Sequence, residues 1–181
     1  MRWAVPEAEF MDPGTLGCQG CGGALSMRQV LKELGDDAVA VLPACCWSII
    51  DGPWPVHALN IPVFHTAFET AAVVATGVKA AKQVQGKDTT VVAWAGDGGT
   101  FDIGLQALSG AAERNEDIVF ICYDNEAYMN TGIQRSSATP AGTWTTTTPD
   151  QRPEPRPKKD IMAIMAAHRI PYAATATTAY P

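Results

Sequence analysis

The feature of this sequence that most constrains its fold is a pair of apolar runs with one helix length between them. The runs are TTVVAWA at 89–95 and DIVFICYD at 117–124. Each is nearly continuously apolar, which is typical of a parallel strand covered on both faces. The segment between them, 101–115, carries apolar residues at helical spacing and ends in a charged turn. A strand, a helix and a second strand in this order predict a parallel β-α-β unit.

The same alternation of helices and strands continues on both sides of this unit. Its further elements are helices at 23–35, 66–86 and 160–168, and strands at 38–43 and 170–176. Asp160 is a candidate N-cap, and the Thr- and Pro-rich segment 136–159 is predicted to be a long loop. Residues 1–181 therefore predict a single α/β domain with a mainly parallel sheet flanked by helices.

Composition narrows the classes of function open to the chain. Its 181 residues are 46% apolar and 18% charged, which is typical of a globular domain with its own core. The net charge of −6 is spread along the chain, which argues against a nucleic-acid-binding surface. Residues 1–14 lack the apolar core of a signal peptide, and the apolar stretch at 70–78 is too short to span a bilayer. A cytoplasmic protein without a membrane segment is therefore expected.

The turn after the strand at 89–95 is the most informative for chemistry. It reads Gly96-Asp97-Gly98-Gly99 and leads into the predicted helix. In an open α/β sheet, ligands bind beyond the carboxyl ends of the strands. The glycines permit close backbone approach, and the following helix N-terminus favours an anion such as a diphosphate. A carboxylate beside a diphosphate requires a cation between them, most simply Mg²⁺.

Asn125 follows the next predicted strand and is a second candidate ligand. One helix and one strand separate it from Gly98, so the chain returns to the same edge of the sheet. The amide oxygen of Asn125 and the main-chain carbonyl of Ala127 would suit an octahedral Mg²⁺ site. Alternatively, Asn125 merely caps the transition from strand to turn. Spacing alone leaves both interpretations open.

Cysteines form a second candidate site. In a reducing compartment, metal-binding, catalytic or buried roles are favoured over disulfides for the five cysteines of the chain. Cys18 and Cys21 form a CxxC pair among glycines, which is compatible with zinc, a redox disulfide or an iron–sulfur cluster. A zinc ribbon would need a second close pair, whereas Cys45 and Cys46 are adjacent. Cys122 lies inside a predicted strand and is interpreted as a core residue.

Taken together, these motifs resemble one family. The GDG turn followed at this interval by Asn125 is similar to a thiamine-diphosphate motif, with Asp124 where the common form has asparagine. Longer stretches resemble the β subunits of 2-oxoacid:ferredoxin oxidoreductases, in particular those of the pyruvate type (pyruvate synthase). The resemblance runs from about residue 17 to the end and is carried by FHTAFETAAVVATGVKAA at 64–81, by the segment 96–142 and by AAHRIPYAATA at 166–176.

The resemblance implies a thiamine-diphosphate-binding fold and a set of site residues. It implies that Asp97, Asn125 and the Ala127 carbonyl bind Mg²⁺. It also implies that Asn130 lies next to the thiazolium and the substrate, as the catalytic residue. The positions implied to contact the cofactor are Gly23, Cys46, Gly96, Asp97, Gly98, Gly99, Asn125, Glu126, Ala127, Tyr128, Met129 and Asn130.

The resemblance further implies a [4Fe–4S] cluster bound by Cys18, Cys21 and Cys46, the first two in an N-terminal CxxC segment at 17–23. In this family the fourth ligand comes from a part of the subunit further along. No cysteine follows Cys122 in this sequence. The chain is therefore interpreted as C-terminally truncated, which leaves electron transfer by this chain open.

The function implied is the oxidative decarboxylation of a 2-oxoacid, with pyruvate as the first candidate, or the reverse synthesis. Coenzyme A would take the acyl group and ferredoxin the electrons. Partner subunits of the α, γ and δ type are implied, and one of them is expected to supply the acid that activates the aminopyrimidine. Two alternatives stay open: a non-redox thiamine-dependent decarboxylase, and a non-catalytic truncated subunit.

Overall fold

A computed structural model describes residues 6–53, 55–149 and 155–179 of the chain. Its strands are Ala38–Pro43 (β1), Val63–Thr66 (β2), Thr90–Gly96 (β3) and Val119–Tyr123 (β4). Its helices are Gly22–Leu34 (α1), Trp47–Ile50 (α2), Ala71–Val84 (α3), Leu105–Glu113 (α4) and Ile161–Ala167 (α5), with a π-helical turn at Gly98–Asp102. Within these described ranges, no helix has the length and apolarity needed to cross a membrane.

All the strand pairs in the sheet are parallel, in the order β2-β1-β3-β4. Helices α3 and α4 connect successive parallel strands, as a parallel sheet requires. The expected α/β fold class is confirmed. Because every strand runs in the same direction, the four carboxyl ends and the loops that follow them lie along one edge of the sheet.

Apolar side chains cover the sheet on both faces. On one face, α1 and α2 contribute Leu31 and Trp47, which pack with Trp94 of β3. The rings of Trp47 and Trp94 meet edge to face, with centroids 6.3 Å apart. Small residues of α3 pack on the opposite face. The sequence predicts a core or interface position for the tryptophans at 47, 54 and 94. Trp47 and Trp94 are core residues, and Trp54 lies outside the described residues.

Most of the predicted elements are confirmed. Strands β1, β3 and β4 lie where the apolar runs predicted them, and α1 and α5 match the helices predicted at 23–35 and 160–168. Asp160 caps α5, because its side chain accepts the Ala163 N–H at 2.9 Å. The described parts of the predicted loop at 136–159 contain turns and isolated bridges but no helix or strand.

Two predictions at the borders of the sheet need correction: one helix starts later than predicted, and one predicted strand is absent. The helix predicted at 66–86 begins only at Ala71, because Val63–Thr66 forms the edge strand β2. Two residues of this short strand are exposed, so it lacks the apolar run of a buried strand. The strand predicted at 170–176 is absent, and its residues from Pro171 are exposed. An isolated segment without a neighbouring strand has no ladder of hydrogen bonds to hold it extended.

Candidate functional site

The candidate site lies at the carboxyl edge of the sheet, where β3 and β4 end. β3 runs directly into Asp97, and β4 runs into Asp124 and Asn125. The two strands are neighbours, with Gly96 opposite Tyr123 in the parallel register. The interval of one helix and one strand therefore returns Asn125 to the side of Asp97, as the spacing predicted.

Three of the predicted ligand groups converge at this edge. One terminal atom of the Asn125 amide lies 2.9 Å from Oδ1 of Asp97 and 2.9 Å from the carbonyl oxygen of Ala127. The other terminal atom lies 3.7 Å from Sγ of Cys46. With nitrogen in the first position, Asn125 donates hydrogen bonds to both oxygens. With oxygen there, three oxygens face one another without a proton between them, which is stable only around a cation.

The spacing of these atoms fits Mg²⁺ in particular. Mg²⁺ binds oxygen in an octahedron with bonds of about 2.0–2.1 Å, so neighbouring ligand oxygens are about 2.9 Å apart. The Asn125 amide stands at this separation from both Asp97 and Ala127. A carboxylate, an amide and a main-chain carbonyl are also the oxygen ligands that such hard cations take. The residues present therefore fit the metal.

The electrostatics of Asp97 favour a bound cation as well. Its side chain is buried, with 1% of the residue exposed. Burial raises the pKa of Asp97 from its ordinary value of 3.8 to about 6, and the hydrogen bond from Ser136 acts in the opposite direction. The charge of nearby Asp124 raises the pKa further. A buried carboxylate whose ionisation is disfavoured gains strongly from a metal ion beside it.

Glycines in and just after the turn at 96–99 allow neighbouring groups to pack where a Cβ atom would not fit. A Cβ on Gly98 would overlap the ring of Tyr128, and a Cβ on Gly104 would overlap the carbonyl oxygen of Gly99. The chain first makes the wider π-helical turn, so the helix expected to begin at residue 101 begins instead at Leu105. Short π-helical segments recur at functional sites. The turn therefore departs from regular helix next to the candidate metal position.

Sequence reasoning missed a short buried turn that joins the two loops. We call residues 136–139, Ser-Ser-Ala-Thr, the 136–139 turn. Ser136 donates a hydrogen bond to Oδ2 of Asp97, and Thr139 donates one to the carbonyl oxygen of Glu126 at 2.5 Å. The turn thus connects the loop after β3 with the loop after β4. Its only sequence signal is a run of small hydroxyl residues, which is common in loops.

Asp102 and Tyr128 form a second connection that the sequence did not indicate. The hydroxyl of Tyr128 donates to Oδ2 of Asp102 at 2.8 Å, and the main-chain N–H of Ser137 donates to the same oxygen at 3.1 Å. Burial opposes the ionisation of Asp102, but these hydrogen bonds outweigh it and lower its pKa overall. Tyr128 is therefore held in place at the turn.

The remaining predicted contact positions of the loop after β4 face outward. Glu126 has a φ of 66°, in the left-handed region, and its carboxylate lies 3.1 Å from Nζ of Lys158. Lys158 also pairs with Asp124 at 2.5 Å. Met129 and Asn130 are exposed. The loop therefore turns Ala127 inward and leaves its last two residues accessible.

Cys46 lies directly beside the converging oxygens. Besides its contact with Asn125, its sulfur lies close enough to the main chain of Asn130 for that main chain to lower the pKa of the thiol. The main-chain N–H of Cys46 donates to the hydroxyl of Tyr123 at 3.1 Å. Burial raises the pKa of the Cys46 thiol. The structure therefore brings together Cys46, Asn125 and Asn130, three residues that the family resemblance had singled out.

The other two predicted cluster ligands, Cys18 and Cys21, do not form a closed ligand set with Cys46. Cys21 lies near Gly23 and near enough to Cys46 to raise the pKa of that thiol. Cys18 is exposed, and its carbonyl oxygen accepts the Cys21 N–H at 3.0 Å. Among the residues that the structure describes, no three Cys, His, Asp or Glu side chains are close enough to hold a metal. The cluster ligand set stays a prediction.

Comparison with known protein families identifies the domain that carries this site. A family model described as "Thiamine pyrophosphate enzyme, C-terminal TPP binding domain" matches residues 50–180. The chain belongs to this thiamine pyrophosphate enzyme family. The matched range includes β2 to β4 and all three converging groups, those of Asp97, Asn125 and Ala127. The thiamine-binding fold expected from the GDG motif is therefore confirmed.

Curated relatives of this thiamine pyrophosphate domain are oxidoreductase subunits. The chain is 56% identical to ketoisovalerate oxidoreductase subunit VorB of Pyrococcus furiosus, over 99% of the chain. It is also 56% identical to pyruvate synthase subunit PorB of Methanothermobacter thermautotrophicus, over 98% of the chain. The chain spans 61% and 63% of the length of these two relatives. The resemblance to the β subunits of 2-oxoacid:ferredoxin oxidoreductases is confirmed.

Solved structures agree with this assignment. A 2-oxoglutarate:ferredoxin oxidoreductase from Magnetococcus marinus, with 2-oxoglutarate, coenzyme A and succinyl-CoA bound, superimposes with a TM-score of 0.74 at 25% identity. The match covers 88% of this chain and 53% of that one. A thiamin diphosphate-dependent enzyme of Mycobacterium smegmatis, described as putative, matches in fold with a TM-score of 0.51 at 24% identity, over 93% of this chain and 28% of that one.

Proposed function

We propose that this thiamine pyrophosphate domain binds its cofactor through Mg²⁺ held by Asp97, Asn125 and the carbonyl of Ala127. The observation that carries the proposal is the convergence of these three groups at the end of β3 and β4, where the Asn125 amide lies 2.9 Å from each of the other two oxygens. Diphosphate oxygens and water would complete the six ligands that Mg²⁺ requires. The family assignment supports the same position independently.

The surrounding residues have separate tasks in this proposal. The glycine turn at 96–99 presents main chain without side chains, so that a diphosphate can approach closely. Buried Asp97 would supply the negative charge that holds Mg²⁺ beside the diphosphate. Asn130 is proposed to contact the substrate, which is supported by its exposure and its position beside Cys46. The thiamine, when bound, supplies the electron sink for removing CO₂ from a 2-oxoacid.

We further propose that the chain serves as the thiamine-binding β subunit of a 2-oxoacid:ferredoxin oxidoreductase. In that role, coenzyme A would accept the acyl group, ferredoxin would accept the electrons, and partner subunits would complete the enzyme. The relatives support the reaction class but divide over the substrate: VorB and PorB, at the same 56% identity, are named for ketoisovalerate and pyruvate. Pyruvate is retained as the first candidate. Release of CO₂ without reduction of ferredoxin would favour the non-redox decarboxylase instead, and no turnover with partner subunits would favour the non-catalytic subunit.

The iron–sulfur cluster is proposed on the family resemblance and on part of the geometry. Cys21 lies near enough to Cys46 to raise the pKa of its thiol, and both pack against the same core cluster, which supports a shared centre. The exposed Cys18 does not join them in a closed ligand set. The cysteines as placed therefore provide only part of a cluster site, and a complete cluster would need further ligands.

The metal proposal predicts that Asp97→Asn removes Mg²⁺-dependent binding of thiamine diphosphate. The change keeps the shape of the side chain but removes the charge that the metal joins to the diphosphate. Even the outer hydrogen-bonding partners of metal ligands contribute about 10–100-fold to metal affinity. Loss of a charged ligand should therefore weaken binding by about a hundredfold or more. Titration calorimetry with thiamine diphosphate at fixed Mg²⁺ measures this affinity.

Asp36→Asn is the matched control. Asp36 is exposed and precedes β1, at the opposite edge of the sheet, so this variant should bind as the wild type does. An Asp97→Asn variant that keeps the wild-type affinity would show that the metal site is elsewhere.

A further inference from the structure

Ser136 is a buried hydroxyl directly behind Asp97. The residue is 1% exposed, and its Oγ donates a hydrogen bond to Oδ2 of Asp97. The same Oγ accepts the main-chain N–H of Ala138 at 3.1 Å. A hydroxyl has a single proton. Because an ionised carboxylate can only accept a hydrogen bond and the Ala138 N–H can only donate one, that proton is directed to the carboxylate.

This hydrogen bond makes the two oxygens of the Asp97 carboxylate unequal. Oδ2 is turned to Ser136, whereas Oδ1 lies 2.9 Å from the Asn125 amide. Hydrogen bonds to a charged oxygen are among the stronger ones in proteins, so Oδ2 is not readily released to a metal. Asp97 therefore offers one free oxygen to a cation.

The 136–139 turn keeps this hydroxyl from moving away. The main-chain N–H of Ser136 donates to Oγ1 of Thr139 at 3.0 Å, and Thr139 is fully buried. Thr139 in turn donates to the carbonyl of Glu126, the residue between Asn125 and Ala127. The same turn thus fixes Ser136 and the loop that carries the other two metal ligands.

We propose that Ser136 is a positioning residue that holds Asp97 as a one-oxygen ligand and thereby selects Mg²⁺ over Ca²⁺. Mg²⁺ takes six ligands in a strict octahedron with short bonds, whereas Ca²⁺ takes six to eight oxygens at longer distances and often binds both oxygens of one carboxylate. A carboxylate with one oxygen occupied suits the smaller ion. This inference rests on the proposed function, since it needs a metal at Asp97.

The test compares the two metals on the same protein. Thiamine diphosphate affinity is measured by titration calorimetry on the full chain, with any subunits that co-purify, once with Mg²⁺ and once with Ca²⁺. Ser136→Ala should weaken the Mg²⁺-dependent affinity by about 10–100-fold, as expected when the hydrogen-bonding partner of a metal ligand is lost. The Ca²⁺-dependent affinity should fall less, because Oδ2 becomes free for a second bond. The preference for Mg²⁺ should therefore drop by about tenfold.

Ser109→Ala is the matched control, because it also removes a serine hydroxyl that bonds to one side chain, here His168 at 3.0 Å. It should leave the metal preference unchanged. If Ser136→Ala does not fold, Ser136→Cys, whose thiol is a weak donor, should lower the preference in the same direction. An equal loss of affinity with both metals would overturn the inference. A wild-type chain that binds thiamine diphosphate without any metal would instead overturn the proposed function.

Discussion

At the scale of single residues, Asp97 combines deep burial with the charge of neighbouring carboxylates. Burial is the main reason that its pKa rises from 3.8 to about 6, and the charges of Asp124 and Asp102 act in the same direction. The folded chain without metal therefore holds this proton more tightly than the unfolded chain does. Mg²⁺ bound at Asp97 would replace the proton as its positive partner.

We therefore predict that ionisation of Asp97 lowers the stability of the metal-free chain near neutral pH. The stabilising contribution of the proton is fully present below 3.8 and is lost as the pH rises through about 6. The difference between these two pKa values corresponds to roughly 3 kcal/mol in the free energy of unfolding. Asp97→Asn is neutral at every pH. As the pH rises from about 4 to about 7, its free energy of unfolding should therefore increase by about this amount relative to that of the wild type.

Urea unfolding of the metal-free chain at several pH values measures this difference. Asp36→Asn, which removes an exposed carboxylate at the other edge of the sheet, is the control. A stability difference between Asp97→Asn and the wild type that stays constant from acidic to neutral pH would contradict the prediction.

At the scale of structural elements, two consecutive lysines connect the loops on both sides of the site. Nζ of Lys158 lies 2.5 Å from Asp124 and 3.1 Å from Glu126, in the loop after β4. Nζ of Lys159 lies 3.6 Å from Asp102, in the π-helical turn after β3, and also donates to a carbonyl there. The segment before α5 thus joins both loops by ion pairs.

We predict that replacing both lysines by methionine loosens the loop after β4. Partly exposed ion pairs contribute about 0.5 kcal/mol each. Their joint loss should speed hydrogen exchange of the amides at 124–130 by about tenfold. Hydrogen exchange followed by mass spectrometry measures this rate. Lys87→Met, at an exposed position in the loop before β3, is the control. Unchanged exchange at 124–130 in the double variant would show that the lysines do not hold the loop.

At the scale of the whole molecule, the parallel sheet gathers residues that lie far apart in the sequence. Cys46 follows β1, Asp97 follows β3 and Asn125 follows β4, and these strands are neighbours in the sheet. Cys21, at the start of α1, is brought near Cys46 by the packing of α1 on the same face. The thiol of Cys46 and the candidate Mg²⁺ site at Asp97 and Asn125 therefore lie at the same edge of the sheet.

We predict that anaerobic reconstitution of the chain with iron and sulfide gives broad visible absorption that depends on Cys46. Thiolates are the ligands of iron–sulfur clusters, and Cys21 and Cys46 pack against the same core cluster. Cys46→Ser should therefore lose the absorption and most of the bound iron. Cys122→Ser is the control, because Cys122 lies within β4 and burial raises its pKa to about 12, which disfavours the thiolate. A colourless protein with bound zinc, or equal iron loss in both variants, would contradict the cluster assignment.

The sequence predicts the elements that are long and strongly patterned, and it fails where the signal is short. β3 and β4 are predicted because an unbroken apolar run is a local signal. β2 is missed because its four residues are partly exposed at the sheet edge. Ser136, Asp102 and Lys158 are missed for a different reason. Each acts through hydrogen bonds or ion pairs to residues far away in the chain, and nothing in the neighbouring sequence reports those partners.

By itself, the sequence determined the parallel α/β fold and the meeting of Asp97 with Asn125, because the length of one helix and one strand fixes where a chain returns to a parallel sheet. Only the tertiary structure decided how those ligands are held. The π-helical turn, the 136–139 turn and the two lysines depend on contacts between segments far apart in the chain. Such contacts follow from how loops pack on the finished sheet, and loop packing leaves no periodic pattern in the sequence.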